Sequence, residues 1–178
     1  MTHSDTRAQG PRHIIGIVGW SGSGKTTLFS ALIPVLIGRG LTVSTMKHSH
    51  HDFDMDQPGK DSYRHREAGA REVLLTSHKR WALLHELREE PQYDIDALIG
   101  QMAPVDLLLI EGFKAHKYPK IEVNRPSRGK KMLCASDTSV VALATDVPVS
   151  GLDLVQLDLN DVDAVANFII NHLGLNTK

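Results

Sequence analysis

The most constraining feature of the sequence is a glycine-rich segment that directly follows a strand-length apolar run near the amino end. Residues 14–19 read IIGIVG, and Gly19–Thr26 (GWSGSGKT) then match G-x-x-x-x-G-K-[ST] at every fixed position. From Lys25 to Gly38 the apolar residues recur at helical spacing. A strand, a glycine-rich turn and a helix in this order predict a phosphate-binding loop, and both flanks argue against a plain glycine–serine turn with a solvated lysine.

The chemistry of phosphate binding explains the residue types in this loop. Glycine adopts positive φ angles without strain, which lets backbone N–H groups face phosphate oxygens. We expect Lys25 to contact the β- and γ-phosphates and to act in catalysis, and the Thr26 hydroxyl to hold Mg²⁺. The residues expected to bind the nucleotide are Ser21, Gly22, Ser23, Gly24, Lys25, Thr26 and Thr27.

A carboxylate near the bound metal is the second expected part of the site. Residues 105–112 (VDLLLIEG) predict a buried strand that ends at Glu111, and Gly112 permits a sharp turn after it. We expect Glu111 to hold the metal or to orient water bound to it, and Asp106, at the other end of the strand, to be structural. A glutamate that simply meets solvent is the alternative.

Histidines and carboxylates crowd into residues 47–61 (KHSHHDFDMDQPGKD). Three interpretations remain open: a nucleotide-sensing segment with Asp52 or Asp54 near magnesium, a zinc or nickel site, or a mobile polar surface segment. We expect Asp54 to be a metal ligand with a part in catalysis. Arginines follow at 64, 66 and 71 and add positive charge that could meet phosphate or solvent.

The order of predicted elements indicates one α/β domain. Apolar strand-length runs alternate with helical patterns, which favours a three-layer fold of the P-loop NTPase type, with a mostly parallel sheet flanked by helices. Further strands are predicted at 41–48, 71–77, 140–146 and 154–159, with a short helix in 93–102 and a closing helix capped by Asn160. Residues 80–87 are ambiguous. We expect a disordered lead over 1–12 and a single domain over 13–178.

Bulk composition excludes several classes of protein. The chain has 20 basic and 21 acidic residues among 178, so no overall field favours nucleic acid or an anionic membrane. No apolar run approaches the ~20 residues of a membrane span. A single cysteine, Cys134, excludes an internal disulfide. These features predict a cytoplasmic protein that partners neither nucleic acid nor membrane.

Base preference cannot be read from the sequence itself. Guanine is often bound by an aspartate in an N/T-K-x-D stretch, which does not occur here, and Asp146 in ATDVP is the nearest candidate. No arginine or glutamine is evidently placed to stabilise a transferring phosphoryl group, so we expect slow hydrolysis; Arg64 or Arg66 from a second subunit could supply one.

Several longer stretches resemble one family closely. GWSGSGKTTL, MKHSHHDFDMDQPGKDSYRHREAGA, LLLIEGFK and IEVNR together resemble the MobB family of molybdopterin-guanine dinucleotide biosynthesis adaptor proteins, nearly collinearly from Ile14 to Leu173. The phosphate loop alone is generic, whereas the second and third stretches are particular to that family. On this resemblance Gly22, Gly24, Lys25 and Thr26 fall on the family's phosphate loop, Glu111 on its acidic strand end and Asp54 in its histidine and aspartate segment.

The resemblance implies GTP binding, a homodimer, weak GTP hydrolysis and support of MobA, which joins GMP from GTP to molybdopterin. The chain would then be mainly a nucleotide-binding accessory protein and a weak GTPase at most. Two alternatives remain: a nickel- or zinc-delivery GTPase that uses residues 47–56, and a small-molecule kinase that uses ATP. The sequence shows no lid of the kind that such a kinase needs.

Overall fold

The computed structural model describes residues 10–49 and 53–177. The chain divides into two compact units. The first consists of Met1–His48 and Ile95–Lys178, and the second consists of Ser49–Asp94. The lead predicted over 1–12 falls mostly outside the described residues. Within them, the backbone N–H of Arg12 donates to the carbonyl of Val105 at 2.9 Å. Among the described residues, no helix has both the length and the apolar character that a membrane span requires.

The first unit is built on a six-stranded sheet in the order β2-β5-β1-β6-β7-β8, and every strand pair in it is parallel. Its strands are β1 (His13–Val18), β2 (Val43–Lys47), β5 (Leu107–Glu111), β6 (Lys120–Asn124), β7 (Val140–Thr145) and β8 (Val155–Asp158), and its helices are α1 (Lys25–Gly38), α3 (Ile95–Ile99) and α4 (Val162–Leu173).

Both faces of this sheet are covered, which explains the continuous apolar runs of the central strands. Alternate residues point to opposite faces. Ile15, Ile17 and Leu109 therefore pack with α1 and α4, whereas Leu108 and Ile110 pack with Ile99 of α3 on the other side. The predicted α/β fold with a parallel sheet between two helical layers is confirmed.

Strand β6 is missing from the sequence prediction because its polar residues are buried. Lys120, Glu122 and Asn124 alternate with apolar residues, a pattern typical of a strand with one solvated face, yet all three are buried. Lys120 pairs with Asp137 at 2.7 Å, and Glu122 accepts the amides of Leu133 and Cys134. Buried partners within the protein thus satisfy the polar groups of Lys120 and Glu122 that water would otherwise solvate.

The start of α4 differs from the prediction by one residue. The cap is Asp161, whose carboxylate accepts the N–H of Ala164 at 2.8 Å, and the predicted cap Asn160 is wrong. Asn160 instead donates its backbone and side-chain N–H groups to Asp158 in the preceding turn. Asn160 is engaged in this local turn, and Asp161 caps the helix instead.

The second unit contains α2 (Asp61–Glu67) and a hairpin of β3 (Glu72–Thr76) and β4 (Trp81–His85). The predicted strand in 71–77 is confirmed, and the ambiguous stretch 80–87 contains its antiparallel partner. These strands form a separate two-stranded sheet instead of joining the parallel one.

Candidate functional site: a phosphate loop beside an acidic strand end

The loop between β1 and α1 has the backbone that its glycines predict. Gly19, Gly22 and Gly24 have φ angles of 147°, 75° and 102°, and Gly24 caps α1. A Cβ on Gly19 would lie 2.4 Å from the carbonyl oxygen of Val123 on the neighbouring strand β6. Only glycine fits there, and the first turn of α1 is left with its N–H groups facing the loop.

Lys25 lies at the start of α1 and bonds back to the loop itself. Its ammonium donates to the carbonyl of Trp20 at 2.9 Å. Burial is the main cause that lowers the pKa of Lys25; Glu111 opposes it, and the positive charges of Lys114 and Lys47 lower it further. Three ammonium groups thus act on one small volume, as an anion site requires.

The two residues predicted to hold magnesium in this unit lie together. Strand β5 is the immediate neighbour of β1, with Glu111 opposite Ile17. The Thr26 hydroxyl donates to Glu111 Oε1 at 3.2 Å, while Glu111 Oε2 lies 3.5 Å from the Lys47 ammonium. A hydroxyl and a carboxylate are hard oxygen donors of the kind that Mg²⁺ prefers.

The hydroxyl-bearing residues of the loop differ in their exposure to solvent. Ser21, Thr26 and Thr27 are exposed, whereas Ser23 is buried with its hydroxyl lacking a partner in the described part of the chain. A buried hydroxyl without a partner is energetically costly, which sets Ser23 apart from the exposed hydroxyls of the loop.

Arginines beyond β6 contact this loop, which the sequence did not reveal. Arg125 donates from Nε to the carbonyl of Ser23 at 3.1 Å and from Nη1 to Asp146 at 2.6 Å. Arg128 places its guanidinium against Gly22. The sequence expectation that no arginine is evidently placed to stabilise a transferring phosphoryl group did not foresee these two contacts. The stretch IEVNR held the signal, but nothing in its spacing tied it to the loop.

Asp54 belongs to the second unit, where its carboxylate accepts two hydrogen bonds from Arg66 at 3.0 and 2.9 Å. The N–H of Asp56, and then Arg66, lower the pKa of Asp54. Arg66 also lies 3.4 Å from Glu86, so its charge is compensated within this unit. The assignment of Asp54 to the metal and to catalysis stays a prediction.

The segment proposed for zinc or nickel is only partly described. His50, His51 and Asp52 lie outside the described residues. The ring of His48 lies 4.6 Å from that of Phe113. Within residues 10–49 and 53–177, no three His, Cys, Asp or Glu side chains are grouped to hold a metal ion.

Comparison with known proteins gives a consistent result. The molybdopterin-guanine dinucleotide biosynthesis adapter proteins of Escherichia coli (strain K12) and Haemophilus influenzae (strain Rd) are 42% and 43% identical over 160 residues. The matches cover 88% and 90% of this chain, and 91% and 89% of those proteins. A crystal structure of molybdopterin-guanine biosynthesis protein B superposes with a TM-score of 0.68 at 28% identity, over 90% of this chain and 99% of that one.

A comparison with a protein-family model gives the same family assignment. The model described as "MobB: Molybdopterin guanine dinucleotide synthesis protein B" matches residues 14–146, which include the phosphate loop, Glu111 and Asp146. The fold, the nucleotide-binding loop and these similarities agree, and the chain belongs to the MobB family.

Proposed function

We propose that this protein is a GTP-binding adaptor in molybdenum cofactor biosynthesis. It assists the nucleotidyltransferase MobA when GMP is attached to molybdopterin. Membership of the MobB family and the names of the relatives support the pathway, and the phosphate loop supports the nucleotide. The observation that carries the proposal is the loop 19–26 with the Lys25 ammonium and the Thr26–Glu111 pair at its mouth.

Each site residue has a defined part in this proposal. The loop amides and Lys25 hold the phosphates of GTP, and Lys25 exchanges its bond to Trp20 for bonds to phosphate oxygens. Thr26 and Glu111 would hold Mg²⁺, which neutralises phosphate charge when bound. Few protein oxygens suffice, because magnesium keeps several waters and takes phosphate oxygens as its other ligands. Asp54 is proposed as a further ligand.

Guanine preference and slow hydrolysis rest on the family. Asp146, the candidate for contacting the base, has one carboxylate oxygen bound to Arg125 and the other buried without a partner among the described residues. We propose turnover slow enough that the protein acts as a nucleotide-binding accessory more than as an enzyme.

Molybdopterin is the second proposed ligand. An open cavity of about 660 Å³ is lined by Lys114, Lys117, Lys120, His116 and Asp137, among others. Asp137 pairs with Lys120. Lys114 and Lys117 also line the cavity and have no such carboxylate partner among the described residues. Lys114 also stands 4.2 Å above the ring of Trp20 in the phosphate loop. A cavity with this charge, next to the nucleotide loop, suits a phosphate-bearing pterin.

A homodimer is proposed as the working form, in the cytoplasm. Its support is the hairpin of the second unit, where Leu74, Leu83 and Trp81 are 62%, 48% and 71% exposed. Leu74 is paired with Leu83 across the strands, and Trp81 lies two residues further along the same face. Exposed apolar side chains that share one face are typical of a surface that another chain covers.

Calorimetric titration of the full-length protein with GTP, ATP and molybdopterin, each with and without Mg²⁺, tests the proposal. The expected result is that GTP binds more tightly than ATP, that Mg²⁺ strengthens GTP binding, and that molybdopterin binds. Preference for ATP with transfer of its phosphate to a small acceptor would favour a kinase instead. Tight binding of Ni²⁺ or Zn²⁺ that is lost when His48, His50 and His51 become Ala would favour metal delivery.

A further inference from the structure

The segment Arg125–Lys131, which we call the basic strap, follows β6 and lies against the phosphate loop. Two hydrogen bonds fix it there. Arg125 donates from Nε to the carbonyl of Ser23 at 3.1 Å, and the indole N–H of Trp20 donates to the carbonyl of Lys131 at 2.7 Å. The loop and the strap are therefore joined at both ends of the strap.

The chain beyond the strap is held by a buried carboxylate. Glu122 in β6 is fully buried and accepts the backbone N–H groups of Leu133 and Cys134, each at 2.8 Å. A charged acceptor with two short hydrogen bonds is among the stronger constraints available inside a protein. Within the strap, Pro126–Arg128 form a short 3₁₀ turn that ends at Gly129 with φ 59°. Hydrogen bonds before and after Arg128 thus hold the backbone of the strap in place.

The guanidinium of Arg128 lies directly against the middle of the phosphate loop. A Cβ on Gly22 would be 2.7 Å from Nη1 and 3.2 Å from Nη2 of Arg128. Glycine at this position lets the guanidinium approach the loop, in addition to permitting its φ of 75°. This contact brings the positive charge of Arg128 to the loop whose N–H groups bind phosphate.

The two arginines of the strap differ in how their charges are compensated. Arg125 is paired with Asp146 at 2.6 Å, so its charge is balanced and its part is to fix the strap to the loop. In the part of the chain that the structure describes, no carboxylate pairs with Arg128. An uncompensated guanidinium beside a ring of backbone donors is placed to bind an anion.

We propose that Arg128 is a phosphate-binding residue, which contacts the phosphate chain of the nucleotide held by the loop from the same subunit. The proposal rests on the proposed nucleotide-binding function and adds a residue outside the G-x-x-x-x-G-K-[ST] pattern. Arginine suits this position because its planar, permanently charged fork binds two phosphate oxygens at once.

Calorimetric titration of full-length variants with GTP and with inorganic tripolyphosphate tests the proposal. Arg128→Gln should raise the Kd of both ligands about tenfold to a hundredfold, the range for a lost hydrogen bond to a charged group. Arg128→Lys should fall between wild type and Arg128→Gln, because it keeps the charge and loses the fork. The matched control is Arg12→Gln, an exposed arginine that pairs with Asp106 at the opposite end of β5.

The outcomes separate this inference from the proposed function. Wild-type affinity in Arg128→Gln, together with loss of binding in Lys25→Ala, overturns the part given to Arg128 and leaves the nucleotide site intact. Equal weakening in Arg12→Gln and Arg128→Gln also overturns it, because the effect would then be one of overall charge. If the wild-type protein binds neither GTP nor tripolyphosphate, the proposed nucleotide-binding function is itself overturned. Circular dichroism confirms that each variant is folded.

Discussion

Lys25 and Thr26 both make hydrogen bonds within the protein. Lys25 donates to the loop carbonyl of Trp20, and Thr26 donates to Glu111 on β5. Phosphate binding would exchange the neutral carbonyl of Trp20 for a charged phosphate oxygen at Lys25, and the opposite charges add to the strength of that bond. The exchange therefore favours the bound state.

Glu111→Gln tests the proposed metal ligand. The amide keeps the shape of the side chain and can still accept from Thr26, but it removes the negative charge that a cation needs. We expect the factor by which Mg²⁺ tightens GTP binding to fall about tenfold or more. GTP binding without Mg²⁺ should be unchanged or tighter, because Lys25 and Lys47 lose an opposing charge.

The measurement is the ratio of the GTP Kd without Mg²⁺ to that with it, in wild type and variant. An unchanged ratio would remove Glu111 from the metal site. Asp106→Asn is the control at the other end of β5, since Asp106 precedes that strand and accepts from Thr42.

Among the residues of the site, the sequence predicted those that lie in one short motif or at the end of one predicted strand. It missed those that reach the loop only through strand pairing in the folded chain. Lys25 and Thr26 follow from one contiguous motif, and Glu111 from the end of one apolar run. Arg125 and Arg128 reach the loop because β6 is the neighbour of β1, a pairing that no short pattern encodes. Asp146 was noted as a candidate for contacting the base, and its pairing with Arg125 was not predicted.

Among the elements, the hairpin of β3 and β4 has a titratable cross-strand pair. Glu72 is opposite His85, and His85 Nδ1 lies 2.7 Å from Glu72 Oε1. The hydrogen bond to Glu72 is the main cause that raises the pKa of His85; burial opposes it, and Glu90 raises it further. Protonated His85 thus binds its proton more tightly in the folded state than in the unfolded one.

The stability contribution of His85 should consequently be present at low pH and lost at high pH. It is complete below the unfolded pKa of ~6.5 and disappears as the pH rises through the folded value. We expect the loss of Tm caused by His85→Gln to be larger at about pH 5.5 than at about pH 8.5. Thermal denaturation of wild type and variant at both values checks this. A Tm difference that does not change with pH would contradict it.

Strands and helices could be predicted from the sequence where their buried residues are apolar. The buried strands β1, β5 and β7 and the helix α1 follow from apolar runs and periodicity alone. Strand β6 does not, because Lys120, Glu122 and Asn124 look solvent-facing and are buried only through partners distant in sequence. Strand β3 was predicted, whereas β4 lies in the stretch 80–87 that was ambiguous. The separation of both strands from the main sheet depends on pairing, which a strand's own residues do not specify.

On the scale of the whole molecule, the second unit has little apolar interior of its own. Within its described residues Val73 is buried on one side of the hairpin, while the other side exposes Leu74, Leu83 and Trp81. A two-stranded sheet alone is marginally stable in water. A second copy that covers this face would supply the missing burial.

Replacing the exposed apolar residues should therefore weaken the dimer. We expect the triple variant Leu74→Ser, Trp81→Ser, Leu83→Ser to sediment as a monomer at concentrations where wild type is dimeric. The mechanism is the loss of buried apolar area, at roughly 25 cal/mol per Å². Analytical ultracentrifugation measures it. Val155→Ser, another exposed apolar residue on β8, serves as the control. A wild-type monomer, or a dimer that survives the triple change, would contradict the proposed interface.

The central claim is that the loop after β1, with the ammonium of Lys25, binds the triphosphate of GTP. Calorimetric titration of wild type and Lys25→Ala with GTP in the presence of Mg²⁺ tests it most directly. The Lys25 side chain bonds only to the loop carbonyl of Trp20 among the described residues, so the variant should fold normally. We predict saturable GTP binding to wild type and none to Lys25→Ala; equal affinity of the two proteins for GTP would contradict the account.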